Sequence, residues 1–326
     1  MQKSLLESLW KKKLSRKNFM KLCIAGMGGF FAGNALRLVE SSASDGKVFY
    51  GRRPKNIPID HDLIMVKGDD PYAMTMKAVE AMGGMDKFVN KGDVVLIKPN
   101  MGWDRIPEQA GNTNPDVIAA LVELSFRSGA KRVNIFDRTC NDARRCYDNS
   151  GIAEAARQKG ANVYFVDDWN FVEARFPYKS PMEGWPVYRD ALECDTFINV
   201  PILKHHGLTG LTLSMKNLMG VCGGERGLIH TDIGVRLAHL TDFIKPDLTV
   251  IDAYRVLMRH GPSGGDLKDV EDFKTIIAGT DPVLVDSYAC ELMGKDPLSI
   301  TYIREAVDNN LGKFETGKAD ILRIEV

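Results

Sequence analysis

Between Asn199 and His230 the chain reads N-V-P-I-L-K-H-H-G-L-T-G-L-T-L-S-M-K-N-L-M-G-V-C-G-G-E-R-G-L-I-H. Three of the six histidines fall in this segment, with Lys204, Lys216, Asn217, Cys222 and Arg226 among them. Such a mixture exceeds what an ordinary core requires, and it marks the segment as the place where a ligand or catalytic site would be built. Lys204 closes an otherwise apolar run. The residues after it follow helical spacing at Leu208, Leu211, Met215, Leu218 and Met219, which places Thr209, Thr212 and Lys216 on the opposite face. The segment therefore reads strand, turn, helix. The free N–H groups of a helix N-terminus favour an anion, and Lys204 and Lys216 would strengthen that seat.

His205 and His206 are adjacent, so on a regular element they point in different directions. Either one is a candidate proton-transfer group, with Asp252 at the end of a later strand as the group that orients or ligates. The glycines of Val221–Gly227 bring backbone close to a ligand, and Arg226 makes this loop a candidate phosphate cradle. Two further stretches carry the same polar character. Lys98-Pro99-Asn100-Met101-Gly102-Trp103, followed by Gly111-Asn112-Thr113-Asn114-Pro115, sets lysine and asparagines around one strand-to-helix turn. Gly261-Pro262-Ser263-Gly264-Gly265-Asp266 is a glycine-rich loop after the Asp252 strand. The expected ligand-binding set is Lys98, Asn100, Asn112, Lys204, Lys216, Asn217 and Arg226, serving a small anionic or phosphorylated ligand.

Metal chemistry is a separate expectation. Imidazole with thiolate or carboxylate suits zinc or iron, and Cys222 and His230 are the candidates, helped by Asp252 or His260. No H-E-x-x-H and no C-x-x-C spacing occurs. Beyond the first 43 residues there are five cysteines, Cys140, Cys146, Cys194, Cys222 and Cys290. An odd number leaves at least one thiol free or paired outside the chain. Cys140 and Cys146 could form a local disulfide or stand as separate thiols.

Short β-branched runs that end in polar residues would carry these side chains. They are Val94–Ile97, Arg132–Phe136, Asn162–Val166, Thr196–Leu203, Leu248–Ile251 and Lys274–Ala278. Helical patterns lie between them at Pro115–Ser128, Ser150–Lys159, Val235–Phe243 and Asp281–Met293, with Asn114 and Pro115 opening the first and Gly129 closing it. The alternation predicts an α/β fold with a mostly parallel sheet covered by helices on both faces. Ligands of such sheets bind beyond the carboxyl ends of the strands, where Lys98, Asn100, Asp137, Lys204, His205, Asp252 and Asp281 would form one rim. An Asp at a strand end also caps the next helix, a purely structural use of the same residue. The irregular stretch 171–189 reads as a lid or insertion.

The 326 residues, 44% of them hydrophobic, suffice for a sizeable core. Basic and acidic residues number 43 each, so nothing calls for a nucleic-acid partner. That balance hides an asymmetry. Residues 1–43 hold eight of the basic and two of the acidic residues, leaving 35 and 41 in the remainder, a net of −6. The basic stretch precedes an apolar run, Leu22–Leu36, and then small residues around Ala43. This is the layout of an export signal, and the run is shorter than the roughly 20 residues of a bilayer span. Ser15–Lys21 resembles the twin-arginine export motif, departing from it at Lys17 and Met20. The expectation is a cleaved leader at 1–43, a single α/β domain at 44–326, and a periplasmic or otherwise exported protein that meets the membrane only through that signal.

I-K-P-N at 97–100, N-T-N-P-D-V at 112–117, N-V-P-I-L-K-H-H at 199–206, L-T-L-S-M-K-N-L-M-G at 211–220 and D-P-V-L-V-D at 281–286 resemble conserved blocks of the family catalogued as domain of unknown function 362. The resemblance covers roughly residues 60–300. That family has no established activity. Some of its relatives carry an added ferredoxin-like domain with iron–sulfur clusters. What it implies is a redox association, with a separate redox partner. Three readings follow: an enzyme acting on a small anion, a non-catalytic exported binding or cofactor-carrier protein, and a metal or iron–sulfur protein using Cys222 and the histidines.

Overall fold

Within the sheet, successive residues of one strand point to opposite faces, and both faces are apolar here. In the second strand, Leu96 enters one hydrophobic cluster while its neighbours Val95 and Ile97 enter another. A strand buried on both faces must be covered on both, and the computed structural model, which describes residues 48–326, shows that arrangement. These residues form one compact unit. The expected leader at 1–43 lies outside the described residues.

The strands are β1 (Leu63–Lys67), β2 (Val94–Pro99), β3 (Arg132–Ile135), β4 (Asn162–Val163), β5 (Phe171–Glu173), β6 (Pro186–Tyr188), β7 (Thr196–Val200), β8 (Ile202–His206), β9 (Gly210–Thr212), β10 (Leu248–Leu257), β11 (Val270–Gly279) and β12 (Ile321–Glu325). The main sheet runs β12-β1-β11-β10-β7-β2-β3-β4, with β8 on β10 and β9 on β8. Pairing is parallel from β10 through β7, β2 and β3 to β4, and again between β12 and β1. The long strand β11 is antiparallel to both β1 and β10. The fold is thus α/β with a mostly parallel sheet.

The larger helices are α1 (Pro71–Ala81), α2 (Pro115–Arg127), α3 (Ala143–Asn149), α4 (Ile152–Gln158), α5 (Asp190–Glu193), α6 (Ser214–Asn217), α7 (Ile233–Ile244), α8 (Pro282–Leu292) and α9 (Thr301–Asp308). Helices α1, α2 and α4 cover one face through Met74, Ile118, Leu121 and Ala156. Helices α7, α8 and α9 cover the other through Leu237, Leu240, Tyr288 and Tyr302. Their starts are encoded locally. Asp70, Asn114 and Asp281 each accept a backbone N–H from the first turn, and a proline follows each of them. Among the described residues no helix is long and apolar enough to cross a membrane.

Two sequence expectations change here. The run Thr196–Leu203 is two strands, because Pro201 lacks the N–H needed to continue a ladder. The helix expected from Leu208 is strand β9, antiparallel to β8, followed by one turn of helix at Ser214–Asn217. Leu208 is exposed, and Leu211, Met215, Leu218 and Met219 are buried from several elements rather than along one helical face, so a periodic pattern arose without a helix. The stretch 171–189 contains the antiparallel β5–β6 ribbon, which bridges to Cys222.

Candidate functional site

Just beyond the carboxyl ends of β2, β3 and β8 lies a cavity of about 560 Å³. Its floor holds three buried lysines. Lys98 and Lys204 are 0% exposed and Lys216 is 9% exposed. They arrive from β2, β8 and α6, elements far apart in the chain.

Lys98 is structurally paired. Its Nζ lies 2.9 Å from Asp137 Oδ1 and donates to the Pro99 carbonyl and to Asn217 Oδ1. Asp137 also accepts from the Met101 N–H at 2.7 Å. Asn217 ties the floor together, donating to the Lys98 carbonyl and to Asn199 Oδ1 and accepting from Asn100 Nδ2. Gly220 lies against this pair so closely that a Cβ there would stand 1.9 Å from Asp137 Oδ1 and 2.5 Å from Lys98 Nζ. Burial pushes the Lys98 pKa down, and Asp137 opposes it.

Lys204 and Lys216 differ in kind. Lys204 Nζ donates to the Gly111 carbonyl at 2.6 Å and to Asn100 Oδ1 at 3.3 Å and sits 5.8 Å from the centre of the Trp103 ring. Lys216 Nζ has Met219 Sδ at 3.5 Å. Among the described residues neither makes a salt bridge with a carboxylate. Burial, which penalises the charged ammonium, pushes Lys204 down to about 7 and Lys216 down to about 8.

The histidines separate. His206 Nδ1 accepts the N–H groups of Leu208 and Thr209, so the ring proton of the neutral form sits on Nε2. Burial first, and then the charge of Lys216, pushes its pKa down to about 3. His206 is therefore a neutral N–H donor and a poor base at neutral pH. His230 stacks on it, ring centres 6.1 Å apart. His205 faces elsewhere. Its Nδ1 accepts the Gly261 N–H, and a Cβ on Gly261 would meet the His205 carbonyl oxygen at 1.9 Å. His205 thus anchors the glycine-rich loop, which Arg105 and Gln109 hold through the Ser263, Gly264 and Gly265 carbonyls.

Of the expected site residues, the cavity brings together Lys98, Asn100, Lys204, His206, Lys216, Asn217, Arg226 and His230. It leaves out His205, Asn112, Cys222 and Asp252. Asn112 is buried, accepting the Trp103 N–H and donating to the Trp103 carbonyl. Asp252 is buried beneath the sheet edge, where its carboxylate accepts the N–H groups of Asn114 and Tyr254 and burial pushes it up to about 6. Asp281 caps α8 and accepts the Lys313 N–H. For both aspartates the structural use of a strand-end carboxylate prevails. Arg226 donates to the Arg138 and Thr139 carbonyls, clamping its loop to the end of β3.

Cys222 lies in the hydrophobic core, and burial pushes its thiol up to about 12. A centre on Cys222 and His230 needs both donors at one point, whereas Cys222 is packed in the core and His230 lines the cavity. Among the described residues no three His, Cys, Asp or Glu side chains stand together as a metal site. Cys140 and Cys146 are separate free thiols, Cys140 exposed at the cavity and Cys146 buried. Asp137, expected at the rim, lines the cavity, and so do Trp103, Arg138, Cys140 and Pro262, which were not expected there as site residues. For Asp137 and Arg138 the signal was present, since they end an apolar strand. The other three sit in loops where such residues are common.

A family model described as Domain of unknown function (DUF362) matches residues 95–291. The chain belongs to that family. The match encloses β2 through α8 and every lysine of the cavity floor. A curated protein, the "Thylakoid-associated protein sll1697" of Synechocystis sp., is 27% identical over 237 residues, covering 68% of this chain and 70% of its own. Among solved structures, the lactate racemase apoprotein from Thermoanaerobacterium thermosaccharolyticum aligns at 14% identity with a TM-score of 0.43, covering 75% of this chain. The alignment spans 61% of that structure, and at this score it carries no argument about function.

Proposed function

We propose that the cavity binds a small anionic ligand and that the protein is an enzyme acting on it. The observation that carries this reading is the pair Lys204 and Lys216, both buried on the cavity floor with no carboxylate in a salt bridge to either among the described residues. A buried lysine without a counter-charge is costly, and a ligand that brings the charge offsets that cost. The His206 Nε2–H and the Asn100 amide are neutral hydrogen-bonding groups at the same site. Lysines of lowered pKa are suited to proton transfer near neutral pH, which favours catalysis over simple storage.

The test is a titration of the purified protein with phosphate, sulfate and small carboxylates, read by calorimetry and thermal unfolding. One of these anions is expected to bind at a single site and raise the melting temperature more than sodium chloride of equal ionic strength. If all act only as ionic strength does, the reading is wrong. Saturable binding with no turnover of any candidate substrate would favour the binding-protein alternative.

For location, we propose export through the leader at 1–43, on the strength of its basic and apolar segments. The relative's thylakoid association is a further, independent pointer to a membrane system. Cell fractionation with N-terminal sequencing tests this, and an uncut protein confined to the cytoplasm would refute it.

A further inference from the structure

Lys204 has the more unusual surroundings of the two uncompensated lysines. Its two hydrogen-bond partners, the Gly111 carbonyl and Asn100 Oδ1, are both neutral acceptors. A neutral lysine amine has two N–H bonds and one lone pair. Both N–H bonds are occupied by these acceptors, and the remaining lone pair belongs to a buried residue that lines the cavity. Two neutral acceptors at these positions match the amine better than the ammonium, which has a third proton to place. Lys216, by contrast, has among the described residues only the Met219 thioether as a hydrogen-bond partner and keeps its donors for a ligand.

Resting on the anion-site reading, we propose that Lys204 Nζ forms an imine with the carbonyl carbon of an oxo acid whose carboxylate is held by Lys216. The site takes the ligand class that carries a carbonyl next to an anionic group. The Lys204 lone pair attacks the carbonyl carbon, forming a C–N bond. The carbonyl π pair moves to oxygen, which takes a proton from the nitrogen to give a carbinolamine. The Lys216 ammonium then protonates the hydroxyl, the C–O bond breaks, water leaves, and the nitrogen lone pair forms the C=N bond of the iminium. Lys216 is left as the free amine. Atoms and charge balance with no oxidant or reductant. The depressed pKa of Lys204 keeps a useful fraction of it unprotonated at neutral pH.

The experiment treats the protein with glyoxylate or pyruvate and sodium borohydride, then maps the modified peptides by mass spectrometry. The expected result is a reduced adduct concentrated on Lys204, at least about tenfold above any exposed lysine, because exposed lysines stay largely protonated. Lys204→Met should lose that adduct while its circular dichroism stays native. Lys216→Met should require a higher oxo-acid concentration for the same labelling of Lys204. Adduct spread evenly over exposed lysines, or seated on Lys216, would overturn the proposal. Anion binding by calorimetry with no trapped adduct would remove the imine and leave the anion site standing. Absence of both would remove both readings.

Discussion

Lys216 is a buried cation whose single hydrogen-bonding neighbour among the described residues is a methionine sulfur. That contact supplies little of what water gave the ammonium. Replacing Lys216 by Met keeps the length and the apolar stem and removes the charge. In the anion-site reading this should weaken binding of the best anion by about 1.5–3 kcal/mol, the worth of a charge-assisted hydrogen bond, or roughly tenfold to a hundredfold in Kd. The same change should leave the fold at least as stable, since it removes an uncompensated buried charge. Calorimetric titration and urea unfolding of the variant check both halves. Unchanged affinity would exclude Lys216 from the site. His206 illustrates the limit of residue type as a guide. Its identity suggests a base, but its Nδ1 is committed to two backbone N–H groups and burial holds it neutral.

The elements around the cavity meet with little slack. Helix α6 is a single turn whose opening N–H groups, those of Ser214 and Met215, donate to the buried Asp286 carboxylate at 2.7 and 3.1 Å. This bond sets where Lys216 and Asn217 stand. At the other side, Gly220 makes room for the Lys98–Asp137 pair that joins β2 to the end of β3. Gly220→Ala should therefore cost about 1–3 kcal/mol, the usual penalty for overpacking, because the nearest atoms are fully buried and hydrogen-bonded. Chemical denaturation would measure it. A loss below half a kilocalorie per mole would mean the pair relaxes at almost no cost.

For the molecule as a whole, buried lysines with lowered pKa values leave a pH signature. Ordinary lysines in the unfolded chain stay protonated to 10.5, whereas folded Lys204 and Lys216 release their protons near 7 and 8. Between pH 7 and 9 the unfolded state thus binds more protons, so stability rises with pH. The slope should reach about 1.4 kcal/mol per pH unit for each lysine once it is neutral in the fold. The destabilisation is fully present below about 7 and is relieved towards 10.5. Asp252 and Asp286, raised by burial to about 6 and about 7, act in the opposite sense at lower pH, above 3.8. Cys194, Cys222 and Cys290, raised by burial to about 12, oppose the trend only above 9. Urea midpoints across pH 7–9 should therefore climb in the ligand-free protein. A saturating anion, by favouring the charged lysines, should flatten the climb. A flat ligand-free curve would contradict the neutral-lysine picture.

Much of this was legible along the chain. Caps at Asn114 and Asp281, the proline after each, and apolar runs ending in charge are local signals, and they located most strands, several helices and the edge of the sheet that carries the cavity. Strands β1 and β12 passed unread because they are short, and helix α1 passed unread although Asp70 and Pro71 mark its start. Helical spacing from Leu208 misled because Leu208 is exposed, while Leu211 is buried from β9 and Met215 from α6 for separate reasons. The sequence by itself determined the α/β class, the family blocks and the set of cationic side chains. Only the tertiary structure decided which cations keep a counter-charge. Lys98 meets Asp137 and Asn217, while Lys204 meets two neutral oxygens and Lys216 a sulfur. Apart from Met219, three residues from Lys216, those partners lie far away in the chain, and the cost of burying a charge is set by what surrounds it in space, which residue order does not contain.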